Sequence, residues 1–129
     1  MKITEHFSKE EFEHGTIYPP EWIEDRLKVL CDNLEKIRAC FGGRMLMVSS
    51  GYRSKTTNAR AGGAQKSQHL AGKAADFRVL GVPMEVAYDV ISYCMDQGLI
   101  DQGGLGLYPK HIHYDIRGER SRWKETSHV

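Results

Sequence analysis

The stretch His111-Ile112-His113-Tyr114-Asp115-Ile116 alternates polar and apolar residues without a break. Successive side chains of a strand point to opposite faces, so His111, His113 and Asp115 share one side and Ile112, Tyr114 and Ile116 the other. One face suits chemistry and the other suits a core. Just before it, Gly103-Gly104-Leu105-Gly106-Leu107-Tyr108 reads as a partner strand, with a turn at Pro109-Lys110. A hairpin of this kind predicts antiparallel pairing.

Working outward, Ala75-Asp76-Phe77-Arg78-Val79 and Met45-Leu46-Met47-Val48 read as two further strands. Helical patterns separate them. Ser8-Lys9-Glu10-Glu11 fits a capping box, with Phe7 and Phe12 placed as a hydrophobic staple, and predicts a short helix ending near Gly15. After Pro19-Pro20, the apolar residues Ile23, Leu27, Leu30, Leu34, Ile37 and Phe41 recur every three or four positions and predict a second helix, stopped by Gly42-Gly43. Met84, Ala87, Val90, Ile91, Cys94 and Met95 mark the buried face of a third, ended by Gly98. Between the first two strands of the sheet, the polar run from Ser49 to Lys66 predicts a long functional loop. The expected fold class is α+β: a small, mainly antiparallel central sheet with helices packed on one side and a groove on the exposed face. Residues 1–129 are expected to form a single domain, with the polar tail 119–129 frayed.

Composition excludes some classes of partner. Eighteen Lys and Arg against seventeen Asp and Glu leave a formal charge of +1, so no net field draws the chain to nucleic acid or an anionic membrane. The N-terminus carries no apolar leader, and no uninterrupted apolar run is long enough to cross a bilayer. Cys31, Cys40 and Cys94 are odd in number and lack the C-x-x-C spacing of a thiolate metal site; Cys31 and Cys94 fall in apolar patterns as packing residues. These features predict synthesis in the cytoplasm without a signal peptide, a reducing compartment, no membrane insertion and a monomer.

The chemistry begins at Ser67-Gln68-His69-Leu70-Ala71-Gly72-Lys73-Ala74-Ala75-Asp76. Zinc accepts nitrogen from His and oxygen from Asp, so His69 and Asp76 are suited to supply two of the three protein ligands of a catalytic site. The His-x-His at 111 and 113 offers further imidazoles. By itself that triplet also fits a pair of half-exposed strand histidines.

Taken in order, Ser50-Gly51-Tyr52-Arg53-Ser54, then Ser67-x-His69-x-x-Gly72-x-Ala74-x-Asp76, Gly104-x-Gly106-x-Tyr108-Pro109 and His113-x-Asp115 resemble the zinc D-alanyl-D-alanine carboxypeptidase family. That family belongs to a superfamily with lysostaphin-type peptidases and the hedgehog signalling domain. The resemblance runs from about Phe7 to Arg117. It implies one Zn2+ per chain held by His69, Asp76 and His113, and hydrolysis by a zinc-activated water of an amide in the peptide stem or cross-link of bacterial peptidoglycan. It also implies substrate contacts from Arg53 and Ser67, with Gln68 beside them. A guanidinium suits a peptide carboxylate, although Arg53 also fits a solvated loop residue.

The chain departs from the family at Lys110, where many carboxypeptidases carry an acid three positions before the last histidine ligand. An ammonium ion cannot take a proton from water. His111 is the best substitute base on the same strand face, and Asp115 is the other catalytic candidate. Asp115 equally fits an acceptor that orients a ligand histidine, or an ion-pair partner of Arg117. Tyr52, Tyr108, Trp22 and Trp123 are expected to pack rather than bind. A lone domain without a leader resembles phage lysis or tail-associated enzymes (endolysin-like), acting on the wall after lysis or virion delivery. The rival readings are an inactive zinc-containing binding module and a phage structural component of the same fold.

Overall fold

The computed structural model describes residues 1–60 and 67–125. Gly62, Gly63 and Lys66 of the expected loop, and His128, lie outside the described residues. The fold is α+β. Strands β1 (Lys2–Thr4) and β2 (Phe7–Ser8) form a small antiparallel pair, followed by a 3-10 turn over Lys9–Phe12. The capping box is present there: Glu11 accepts the Ser8 backbone N–H at 2.8 Å, and Phe12 is buried.

A 3-10 turn at Pro20–Trp22 and a wide π turn at Ile23–Leu27 lead into α1 (Lys28–Cys40). The predicted stripe is the buried one: Leu27, Leu30, Leu34 and Ile37 are in the core, with Ile23 and Phe41 packed against it. Next come β3 (Leu46–Ser50), α2 (Lys55–Arg60), β4 (Ala74–Val79), α3 (Met84–Asp96), β5 (Gly104–Leu107) and β6 (Ile112–Asp115). A short helix, α2, therefore stands inside the stretch expected to be loop. It starts at a Ser54 hydroxyl that accepts the Thr57 N–H at 3.2 Å, a local cap that offsets the run's polarity.

The expectation of a frayed tail is overturned at Ser121–Lys124. These residues form β7, paired parallel to β5 and completing a five-stranded sheet in the order β3-β4-β6-β5-β7. Polar side chains here find tertiary partners: Arg122, and Arg120 just before the strand, both reach Asp96 at the end of α3, at 3.2 Å. Residues 126–129 lie outside the described residues.

Register sorts the sheet into two faces. Ala75 pairs with Tyr114 and Phe77 with Ile112, and Tyr114 and Ile112 pair in turn with Leu105 and Leu107. All of these are in the core with α1 and α3. Burying the Leu, Ile and Phe side chains among them stabilises by about 1.5–3 kcal/mol each before the entropy of ordering is charged. On the alternate positions a second row crosses the sheet, Ser50–Asp76–His113–Gly106–Trp123. That row holds Asp76 and His113, two of the metal-ligand candidates singled out from the sequence.

One polar clasp closes the core. Asn33 on α1 donates to Asp101 Oδ2 at 3.0 Å and accepts the Asp101 N–H at 2.8 Å, while Tyr114 donates to the Asp101 carbonyl at 2.9 Å. Both Asn33 and Tyr114 are buried, so these bonds satisfy groups that would otherwise be costly.

Candidate metal and catalytic site

Three donors converge over the polar face of the sheet. Asp76 Oδ1 lies 3.1 Å from His69 Nε2 and 3.2 Å from His113 Nδ1, and one ligand atom from each residue falls within 4.8 Å of the others. Neighbouring ligands of a tetrahedral zinc with bonds of 2.0–2.1 Å stand about 3.3 Å apart. The spacing therefore fits a metal ion. All three residues are buried, and each comes from a different element: the turn before β4, β4 itself, and β6.

The remaining ring nitrogens are pinned. His69 Nδ1 donates to the Gly51 carbonyl at 2.6 Å, which turns its Nε2 toward Asp76. His113 Nε2 meets Asp115 Oδ2 at 2.6 Å, which turns its Nδ1 inward. Each imidazole is thus fixed in orientation by an outer partner, the usual arrangement behind a metal-binding histidine.

Local backbone explains how the turn delivers His69. Ser67 Oγ accepts the His69 N–H at 3.1 Å, and the Gln68 carbonyl accepts from Ala71 and Lys73. Gly72 then adopts φ +68°, and a Cβ there would lie 2.6 Å from the Tyr18 hydroxyl oxygen. Only glycine meets both demands. Tyr18 donates to the Gly72 carbonyl, and Arg26 to that of Ala71 at 2.8 Å, so the turn is held by the loop before Pro20 and by the π turn at Ile23–Leu27.

Asp115 is fully buried. Its Oδ1 accepts from Gly104 N–H at 2.9 Å and Arg117 Nε at 2.8 Å, and its Oδ2 from Arg117 at 2.7 Å as well as His113. It lies behind His113, away from solvent. Arg53 is likewise engaged: its guanidinium donates to Ser50 Oγ, Asn58 Oδ1 and Asp76 Oδ2, the last at 3.1 Å. The expected substrate clamp is in contact with a metal-ligand candidate.

His111 occupies the more open side. Its Nε2 is 3.6 Å from Asp76 Oδ2, its side chain is 29% exposed, and its ring stacks on Tyr108 with centroids 4.4 Å apart. Lys110 beside it is exposed. Burial lowers the His111 pKa, and the neighbouring His113, His69 and Arg53 add to this against the pull of Asp76. Burial alone would raise the Asp76 carboxyl, but hydrogen bonds from His113 and His69 outweigh it and hold it well below the usual carboxylate range. For His113 the burial that favours the neutral ring is outweighed by the bonds to Asp115 and Asp76, so its pKa is raised.

Trp123 was expected only to pack. In the structure it reaches the site: its Nε1 donates to the Tyr108 hydroxyl at 2.9 Å and its ring lies 5.1 Å from that of His113. A Cβ at Gly106 would lie 2.4 Å from the indole nitrogen, so the missing side chain is what admits the tryptophan. The sequence signal for this was a single large aromatic in a polar tail opposite a glycine-rich strand.

Comparison with known proteins agrees with this geometry. Residues 4–115 match the family model described as Peptidase M15. The chain belongs to the peptidase M15 family. It is 39% identical over 84 residues to "Probable peptidoglycan L,D-endopeptidase MepK" of Haemophilus influenzae, covering 60% of this chain and 41% of that protein. It is 33% identical over 96 residues to "Zinc D-Ala-D-Ala carboxypeptidase" of Streptomyces albus G, covering 73% of this chain and 36% of that protein. The chain thus spans about two-fifths of the length of these relatives. Among the described residues of this M15 chain, no helix is long and apolar enough to cross a membrane.

Proposed function

We propose that this chain is a zinc-dependent peptidase that hydrolyses an amide bond in the peptide part of bacterial peptidoglycan. The observation that carries the reading is the convergence of His69 Nε2, Asp76 Oδ1 and His113 Nδ1, each histidine held from behind. Family membership and the names of the two relatives support the reaction class and the substrate class. Zinc, when bound, lowers the pKa of water to near neutrality and polarises a carbonyl.

The protein's own residues do the rest. His69, Asp76 and His113 hold the ion in a fixed geometry. His111, kept neutral by burial and set at the open side, accepts the proton of the attacking water and passes it to the leaving amine. It fills the role for which Lys110 is unsuited. Asp115 orients His113. Arg53 steadies Asp76, and because a guanidinium has five N–H donors, it still has capacity for a peptide carboxylate. Ser67 and Gln68, half-buried in the turn beside it, complete the substrate side.

The test is to incubate zinc-loaded protein with purified peptidoglycan and to analyse the soluble fragments by mass spectrometry. New amine termini at a stem or cross-link bond are expected, and none with the His69→Ala chain, which also loses its single zinc. Stoichiometric zinc with no cleavage of walls from diverse bacteria would instead favour a non-catalytic binding module, the alternative that Lys110 keeps open.

A further inference from the structure

Outside the metal site, the structure brings together two groups that the sequence keeps 54 positions apart. Cys40 is the last residue of α1 and Cys94 lies in the last turn of α3, and their Sγ atoms are 3.0 Å apart. The two helices pack on each other over the core face of the sheet. A disulfide bond is about 2.05 Å long, so closure asks each sulfur to move by about half an ångström. We propose that Cys40 and Cys94 are a disulfide-forming pair that closes a covalent clamp between α1 and α3 when the protein meets an oxidant. This rests on the helix pair alone and is independent of the peptidase reading.

The three cysteines divide by accessibility. Cys31 is fully buried, and burial pushes its thiol far up, so it is inert. Cys40 is half-buried and meets solvent first. Cys94 is buried, and burial together with the hydrogen bond to Cys40 pushes its thiol up to about 11. With a small disulfide such as oxidised glutathione as oxidant, the Cys40 thiolate attacks one glutathione sulfur, forming a mixed disulfide and releasing one glutathione thiolate. The Cys94 sulfur, losing its proton, then attacks the Cys40 sulfur and expels the second glutathione. Two protein thiols are oxidised, and one glutathione disulfide is reduced to two thiols.

The clamp has a consequence for the rest of the fold. The loop it closes contains β3, α2 and β4, and with them His69 and Asp76. Cross-linking a loop of this length restricts the unfolded chain more than the folded one. Oxidation is therefore expected to raise the thermal midpoint, reversibly with dithiothreitol.

To test this, the native full chain is equilibrated with oxidised glutathione, blocked with iodoacetamide and digested without reduction. The expected product is a linked peptide pair carrying Cys40 and Cys94, an intact mass lower by two hydrogens, and Cys31 alkylated only after unfolding. Cys40→Ser abolishes the linked pair, and so does Cys94→Ser. If the buried Cys94→Ser chain does not fold, Cys40→Ser at the more open position gives the same reading. Recovery of Cys40 and Cys94 as separate alkylated peptides, or a lasting glutathione adduct on Cys40 without closure, would overturn the proposal.

Discussion

His113 uses both ring nitrogens, and the two uses differ. Nδ1 faces the metal-ligand cluster, while Nε2 is fixed by a carboxylate that is itself held by Arg117 and Gly104. Asp115→Asn keeps the shape of that carboxylate but offers an amide that can turn its NH2 toward the ring. Metal affinity is then expected to fall roughly 10–100-fold, measured by competition with a chromophoric chelator; unchanged affinity would remove Asp115 from the orienting role. His111→Gln should act differently. It leaves the three donors intact, so zinc stoichiometry persists while kcat drops by roughly 10²–10⁴ and KM changes little. A loss of zinc in this variant would instead make His111 a ligand. These two roles were only half legible from the letters. Alternation placed His111, His113 and Asp115 on one face, but spacing says nothing of depth, and depth separates the buried Asp115 from the partly open His111.

At the scale of elements, β7 is the clearest departure from expectation. Ser121-Arg122-Trp123-Lys124 has no apolar alternation, so nothing local predicts a strand. Its structure comes from pairing with β5, from the Asp96 ion pairs and from the indole seated over Gly106. Gly106→Ala puts a methyl group where the indole lies and should cost about 1–3 kcal/mol, the usual range for overpacking, read by urea denaturation. Displacing Trp123 also frees Tyr108, so kcat should fall more than metal affinity does. An alanine tolerated on both measures would mean that β7 is dispensable to the site. Helices α1 and α3, by contrast, were legible because their apolar stripes recur at helical spacing and face a real core. The Cys40–Cys94 contact was hidden for the reason that β7 was: it is made between elements, and an odd count of cysteines carries no trace of a pair.

At the scale of the whole molecule, the buried site links folding, protons and metal. The Asp76 and Asp115 carboxyls titrate below their unfolded values. They therefore contribute stability above about pH 4, the ordinary carboxylate range, which is lost as pH falls through their folded values. His113 has the opposite sign: its raised pKa contributes stability that is full below about pH 6.5 and lost as pH rises through the folded value. The metal-free chain should consequently weaken on both sides. Zinc needs the Nδ1 lone pair that the proton occupies, so binding must expel that proton. The zinc-induced rise in thermal midpoint should thus grow with pH through the range where His113 of the free chain deprotonates. Differential scanning fluorimetry of metal-free and zinc-loaded protein across that range reads this directly, and calorimetry in buffers of different ionisation enthalpy counts the released proton. A zinc effect that stays flat with pH, with no proton released, would mean that His113 does not change its protonation when the metal enters.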